Sequence, residues 1–353
     1  MAQLVSAKLP QDAARRDRVL DDLLERSRAF SVEFPVLLAN HLPMVLVAMR
    51  RMGGDDDRLA VYFDTYREAN RLVAPPPRVA PISRERWTEG LGDRGRETDY
   101  RAFFEGEVRR VGARGAMATY LPTLVPGIAS SALHAMMRLA YGVMTGSDEE
   151  VGVALGYWAA TYLPLCPASG APGITDDPAE VLLRLRDEPS FRHVDVELDL
   201  LWHFIRSVTE KPAFRPVVDW LRIGPDTHDR IAKASLALMA GTMDFCAVHA
   251  VTGTHWIRLL QPYLPDHGLA LRYFWTAIAA LYPKIGFSDL PSTEQLDEWR
   301  KRTCPDWRDI MAAAVRSNDE HDLSYTFSSH EEWKHYGDPL YRFVAARRVG
   351  LIQ

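Results

Sequence analysis

The chain has 353 residues, of which 47% are hydrophobic and 25% are charged, and its formal net charge is −5. This composition is ordinary for a soluble globular protein and is sufficient for a sizeable core. The slightly acidic balance argues against a dedicated nucleic-acid-binding protein, which would carry a basic face. Three widely separated cysteines offer no disulfide framework and fit a reducing compartment.

The N-terminal segment, which runs to about Ser27, is charged throughout and lacks the apolar stretch of a secretory signal. No run of eighteen or more apolar residues predicts a membrane span. We therefore expect a cytoplasmic protein that acts on a small molecule and has neither nucleic acid nor a membrane as its partner.

Helical periodicity dominates the chain from residue 11 onward. Residues 11–29 predict an amphipathic helix, whereas residues 32–52 are apolar on nearly all sides and predict a buried one. Pro43 lies inside the second segment and predicts a kink or a break near His41. Further helices are predicted at 58–71, 100–112, 127–144, 149–163, from 178 onward, and at 194–208, 213–222, 226–248, 254–264, 267–283, 293–302, 306–316 and 319–335.

Two segments rich in proline and glycine, residues 73–99 and 164–176, interrupt the helical pattern as long loops. Neither loop separates halves of different composition, and alternating strand patterns are scarce. The prediction is an all-α protein with one large multi-helix domain over residues 1–353 and two long loops.

Five of the eleven histidines lie in apolar helical stretches: His41, His134, His249, His255 and His321. Each buried imidazole brings polar nitrogens that need partners. Packed helices can direct such side chains to one point, as helical bundles do at iron sites. Neutral imidazole binds Fe, Zn, Cu or Ni. We predict that His41, His134, His249 and His321, which come from four separate segments, hold one metal ion.

His249 and His255 are six residues apart, and on a straight helix they cannot share a face. A helix break at Gly253 would let both face one pocket. Apolar neighbours favour His249 as the ligand. His255 is then a candidate catalytic residue, either a substrate contact or a proton carrier.

Acidic residues accompany these histidines. Asp244 precedes His249 by five residues, and Glu320 and Asp322 flank His321. One of these carboxylates could orient an imidazole, and Asp322 is the second candidate catalytic residue. The sequence has no HExxH, no GxSxG and no glycine-rich phosphate loop, so it offers no motif for the corresponding hydrolases or nucleotide-binding proteins.

The histidine segments, taken in order, resemble the questin oxidase family. The motifs that carry the resemblance are Asn40-His41-Leu42-Pro43-Met44, His134-Ala135 with Arg138-Leu139-Ala140-Tyr141-Gly142, His249-Ala250-Val251-Thr252 with His255, Asp319-Glu320-His321, and Tyr336-Gly337-Asp338-Pro339-Leu340-Tyr341. The resemblance implies an all-helical oxygenase that opens anthraquinone-type rings, formally like a Baeyer–Villiger oxidation, without a flavin. It also implies non-haem iron held by the same four histidines.

One position departs from the family pattern. The family often has a lysine, which could become a carboxylated ligand, three residues after the last histidine, where this chain has Ser324. A serine cannot supply that anionic oxygen. The resemblance then implies fewer protein ligands, a water in that place, or partial compensation by Asp322.

The sequence favours an Fe(II)-dependent oxygenase that uses O₂ on a polycyclic aromatic polyketide or phenolic substrate in secondary metabolism. One alternative is a zinc-dependent hydrolase or lyase, which would turn over without O₂. Another is a metal-free small-molecule-binding protein of a biosynthetic pathway, in which the histidines belong to the core.

Overall fold

The computed structural model describes residues 17–353 and confirms the all-α prediction over that range. The α-helices are α1 (Arg18–Ser27), α2 (Leu42–Arg51), α3 (Asp56–Ala69), α4 (Glu97–Leu124), α5 (His134–Thr145), α6 (Asp148–Ala160), α7 (Pro178–Arg186), α8 (Leu201–Thr209), α9 (Thr227–Thr242), α10 (Phe245–Leu260), α11 (His267–Leu281), α12 (Thr293–Lys301), α13 (Trp307–Arg316), α14 (Glu320–Tyr336) and α15 (Leu340–Arg348). Short 3₁₀ segments lie at Trp87–Gly90, Arg94–Arg96, Val125–Gly127, Pro189–Phe191, Pro212–Asp219 and Gln261–Tyr263. The first predicted helix begins outside the described residues.

A two-stranded antiparallel hairpin precedes α2, with β1 (Glu33–Phe34) paired to β2 (Leu38–Ala39). The first half of the helix predicted at 32–52 is therefore wrong. Pro35, Val36 and Leu37 form the turn, and the φ values of Val36 and Leu37 are 69° and 63°, in the left-handed region that non-glycine residues rarely adopt. Pro43 is the second residue of α2, where proline is tolerated, and does not kink the helix.

The break near the centre of the chain also differs from the prediction. The helix α10 is continuous through Gly253, and the chain breaks earlier at Met243, whose φ is 50°. Asp244 caps α10 by accepting a hydrogen bond from the backbone N–H of Cys246 at 2.7 Å. A Cβ at Gly253 would lie 2.4 Å from the ring of Phe274, so this glycine permits close packing of α10 on α11.

Three other predicted helices are shorter than expected or of another type. The helix predicted at 127–144 starts at His134, and the one predicted at 194–208 starts at Leu201. The segment predicted at 213–222 is the 3₁₀ segment Pro212–Asp219. The long helix α4 is interrupted at Gly112, whose φ of 76° and ψ of 160° are not helical.

The four helices that carry the predicted ligands, or that directly follow them, pack in a ring, in which each helix contacts two of the others. Helix α10 packs on α5 and α14, and α2 packs on the same two helices. This arrangement brings the starts of distant segments to one place. None of the helices within residues 17–353 combines the length and the apolarity that crossing a bilayer requires.

Candidate metal centre

The four predicted ligands lie at or near the first turns of four helices. His41 immediately precedes α2, and His134 is the first residue of α5. His249 lies near the start of α10, and His321 is the second residue of α14. Because these helices pack in a ring, their starts point the four side chains into the same region.

The four imidazoles form a closed ring. Ring centroids are 4.4 Å apart for His41 and His134, and 5.4 Å apart for His134 and His249. They are 6.1 Å apart for His249 and His321, and 5.1 Å apart for His321 and His41. The order of the rings matches the order in which the helices pack.

Burial makes these histidines weak bases. His41 and His134 are each 6% exposed, and His249 is 2% exposed. Desolvation by burial lowers the pKa of each of the three well below the usual value of 6.5, and repulsion among the neighbouring imidazoles lowers it further. They are neutral at physiological pH, which is the form that binds a metal.

Every one of the four Nδ1 atoms already has an acceptor. The partner is the Ala39 carbonyl at 3.0 Å for His41, the Ser131 carbonyl at 2.5 Å for His134, the Phe245 carbonyl at 3.3 Å for His249 and the Asp319 carboxylate at 3.2 Å for His321. Carbonyls and carboxylates only accept hydrogen bonds, so Nδ1 carries a proton in each of the four rings. Nε2 of each ring is then the atom that is available to a metal, which is the usual arrangement of metal-binding histidines.

The loop before α5 is built to position His134. Ser131, Ala132 and Leu133 are successive residues with φ values of 45°, 54° and 73°. Such a left-handed run is costly and persists only where surrounding contacts enforce it. The Ser131 hydroxyl donates to Glu33 at 2.6 Å and accepts from the Tyr157 hydroxyl at 2.8 Å. The hairpin and α6 therefore hold the carbonyl that orients His134.

The spacing of the imidazoles is wider than that of a bound set of ligands. Nitrogens on one ion at about 2.1 Å each lie at most about 4.2 Å apart. Within residues 17–353, the only His, Cys, Asp or Glu ligand atoms found in a group of three within 4.8 Å belong to Asp319, Glu320 and His321. Metal binding thus requires the imidazole nitrogens to come closer together than they are in this arrangement. Their donor type, tautomer and burial fit iron or zinc.

The imidazoles line a cavity of about 260 Å³. This volume is close to the lower end of the range of about 300–1,000 Å³ usual for ligand pockets. Apart from the histidines, the wall is mainly apolar: Phe34, Leu37, Leu38, Ala39, Ala132, Leu200, Leu201, Trp202 and Phe245. Leu37, Leu38 and Phe245 are also more than a third exposed, so an apolar rim leads into the cavity.

The two candidate catalytic residues lie outside the lining of this cavity. His255 is buried, and its Nδ1 is 3.1 Å from the Ser328 hydroxyl. Because α10 is unbroken, His255 and His249 lie on different faces of this helix, and His255 is not among the residues that line the cavity. Asp322 accepts hydrogen bonds from Arg348 Nε at 2.7 Å and from the Ser317 hydroxyl at 2.8 Å.

Asp319 is the acidic residue that forms a hydrogen bond with a predicted ligand, a role that the sequence suggested for its neighbours; of these, Glu320 Oε1 lies 3.9 Å from His321 Nδ1. It caps α14 by accepting from the backbone N–H of His321 at 2.8 Å, and it also contacts the ring. The hydrogen bond to His321 is the main cause that lowers the Asp319 pKa to about 2. Arg348 Nη2 donates to the other carboxylate oxygen at 2.8 Å. An aspartate two residues before a histidine at a helix start is the signal that could have identified it.

Ser324, which replaces the family lysine, is 4% exposed and lies one turn after His321. It is not part of the cavity lining. Its side chain is close to the Tyr141 hydroxyl and lowers the pKa of that group, which burial raises by a larger amount. The position is therefore part of the packed contact between α14 and α5.

The fold and the cavity define a class: an all-α protein whose packed helices surround a small cavity lined by four histidines. The family model Questin oxidase-like matches residues 38–325, so the chain belongs to that family. The matched range contains all four histidines. No curated protein matches the chain. Membership of the family indicates an oxidoreductase of the oxygenase kind in secondary metabolism.

Proposed function

We propose that the protein is a non-haem Fe(II) oxygenase that uses O₂ on a polycyclic aromatic polyketide or phenolic substrate. The observation that carries this proposal is the shared arrangement of four histidines around one cavity: all four Nδ1 atoms are hydrogen bonded, which leaves Nε2 of each ring as the atom available to a metal. His41, His134, His249 and His321 would hold the ion. Bound iron would supply the means of activating O₂ for oxidative ring cleavage or a Baeyer–Villiger-like oxidation.

The charge around the cavity favours an anionic substrate. The four proposed ligands are imidazoles, which carry no negative charge, so they would leave the charge of a bound cation uncompensated, and an anionic phenolate would be attracted to it. The N-terminal ends of α2, α5, α10 and α14 also lie at this cavity, and each contributes a partial positive charge. Both effects favour an electron-rich, anionic form of a phenolic substrate, which is the form most easily oxidised.

The apolar wall of the cavity would orient an aromatic substrate and exclude water from the histidines. Phe34, Trp202 and Phe245 are aromatic, and the remaining wall is largely aliphatic. A flat aromatic molecule can contact such a wall on both faces. Filling the cavity would remove water from the histidine side and strengthen the electrostatic interactions there.

His255 and Asp322 are proposed to act at a distance from the substrate. Burial lowers the pKa of His255 to about 3, so it is neutral and joins α10 to α14 through Ser328. Asp322 fixes the start of α14 through Arg348 and Ser317. Each therefore positions a helix that carries a proposed ligand: His249 on α10 and His321 on α14.

Anaerobic purification, loading with Fe(II) and measurement of O₂ uptake with a panel of polycyclic phenols test the proposal. The expected result is about one Fe(II) per chain and O₂ uptake that depends on both iron and the phenol. Turnover without O₂, in protein loaded with zinc, would instead favour a hydrolase or lyase. A chain that retains no metal under any loading condition contradicts both metal-dependent functions.

A further inference from the structure

We infer that Lys284 forms an anion-binding subsite in the wall of the cavity, and that the substrate carries a carboxylate or a similar anionic group in addition to its phenolic part. The inference rests on the proposed function, because it concerns the same cavity. It names a property of the substrate that the four histidines do not specify.

Among residues 17–353, Lys284 is the only lysine or arginine in the lining of this cavity. It lies in the turn after α11, and that turn is fixed by the hydrogen bond from its backbone N–H to the Leu281 carbonyl at 3.0 Å. The side chain is 28% exposed, so much of its aliphatic stem is covered. Its Nζ lies 5.6 Å from the centroid of the Phe204 ring. The ammonium is thus held beside an apolar wall.

The present partner of Lys284 is weakly held. Its Nζ lies 2.6 Å from Asp199 Oδ1, but the Asp199 side chain is 83% exposed. Ion pairs with such exposed partners contribute only about 0–1 kcal/mol. Asp199 can turn into water at little cost, and an anionic group of a bound molecule can then take its place.

An anion inside the cavity would interact more strongly than Asp199 does. Leu200, Leu201 and Trp202 follow Asp199 directly and line the same cavity. A bound aromatic molecule that covers this wall would exclude water from the ion pair, which increases its electrostatic strength. The ammonium of lysine is a compact charge with three donors, and it suits a carboxylate without demanding one fixed geometry.

The distribution of charged residues in the cavity lining would orient a bound substrate. The acidic residue Glu320 immediately precedes His321 and lines the cavity beside the histidines. The cationic residue Lys284 belongs to a different element, after α11, and its exposed partner Asp199, which also lines the cavity, is the anion that a bound carboxylate would replace. A substrate with one phenolic and one carboxylate end would therefore place its carboxylate at Lys284 and its phenol at the histidines.

Isothermal titration of the metal-free full-length protein tests this, with 2-naphthoate as the anionic probe and 2-naphthylmethanol as its neutral match. Wild-type protein is expected to bind the carboxylate about fivefold or more tightly than the alcohol, since about 1 kcal/mol corresponds to that ratio. Lys284→Gln should remove this preference and leave binding of the alcohol within about twofold. Asp199→Asn should tighten binding of the carboxylate, because it removes the competing anion.

Lys334→Gln is the matched control, because Lys334 is half-exposed, pairs with Glu331 and is not in the cavity lining. It should change neither affinity. Equal affinity of wild-type and Lys284→Gln protein for 2-naphthoate overturns the inference, as does weaker carboxylate binding by Asp199→Asn. If neither probe binds wild-type protein, both this inference and the aromatic substrate of the proposed function fail. If the preference holds but no iron binds, the subsite stands and the oxygenase proposal fails.

Discussion

His249 and His255 lie on the same helix and are almost equally buried, at 2% and 1% exposed, yet their surroundings differ. His249 has the rings of His134 and His321 as neighbours and lines a cavity. His255 has Ser328 and the ring of Phe327, 5.7 Å away, as neighbours. Burial of a histidine is therefore compatible with a structural role. Convergence with other histidines on a cavity is what distinguishes the candidate ligand.

The comparison is tested most strongly by removing one histidine from each group. His134→Ala removes one of the four proposed donors and should abolish stoichiometric Fe(II) binding, measured by elemental analysis after anaerobic loading. His255→Ala serves as the matched control and should retain about one iron per chain. Circular dichroism establishes that both variants fold. Equal iron content in the two variants would contradict the distinction between the groups.

The next largest effect is expected from the carboxylate that orients His321. Asp319→Asn weakens the acceptor at His321 Nδ1, and loss of such a partner typically lowers metal affinity about 10–100-fold. Asp322→Asn alters the neighbouring carboxylate, which does not contact an imidazole, and should change affinity less than threefold. Competition of Co(II) or Fe(II) with a chromophoric chelator measures both. The reverse order of effects would show that Asp322 is the supporting residue.

His255 should affect stability in acid more than it affects metal binding. Its pKa falls to about 3 on folding, chiefly because of burial, from about 6.5 in an unfolded chain. Between these values the unfolded chain binds the extra proton, so stability falls as the pH drops from 6.5 towards 3. His255→Asn should reduce this slope by about 1.4 kcal/mol per pH unit. Urea unfolding at several pH values measures the slopes.

Glu332 has the opposite effect to His255 on the pH dependence of stability. Burial is the main cause that raises its pKa to about 7, so the folded chain binds the extra proton and stability falls as the pH rises from 4.5 to 7. This contribution is present in both proteins and cancels in the comparison. Parallel slopes for wild-type and His255→Asn protein would mean that His255 is not buried in its neutral form.

The smallest effect is expected at Ser324. Because this side chain lies outside the cavity, Ser324→Ala should leave the Fe(II) content and affinity within about twofold of the wild-type values. The same chelator competition provides the measurement. A loss of tenfold or more would place Ser324, or a water bound to it, among the metal's surroundings.

Much of this arrangement follows from local sequence patterns. Helical periodicity predicts the fold class, and apolar neighbours identify the segments that contain His41, His134, His249 and His321. Local pattern failed at the β1–β2 hairpin, because Val36 and Leu37, which follow Pro35 in the turn, adopt left-handed φ values that glycine or asparagine usually supplies.

Contacts between distant elements account for part of the other errors. Gly253 does not break α10, because it permits packing against Phe274, and Arg348, which lies 26 residues beyond Asp322, holds both Asp319 and Asp322. Such tertiary contacts cannot be read from the spacing of residues alone. The caps at Asp244 and Asp319 are instead local, since each accepts a hydrogen bond from the backbone two residues further on, and the sequence contains that signal.

Fe K-edge X-ray absorption of the anaerobically loaded protein is the most direct test of a four-histidine centre. The account predicts outer-shell scattering from about four imidazoles around one iron, reduced to about three in any His→Ala variant that still retains metal. Scattering from one imidazole or none, in a protein that binds iron stoichiometrically, would contradict it.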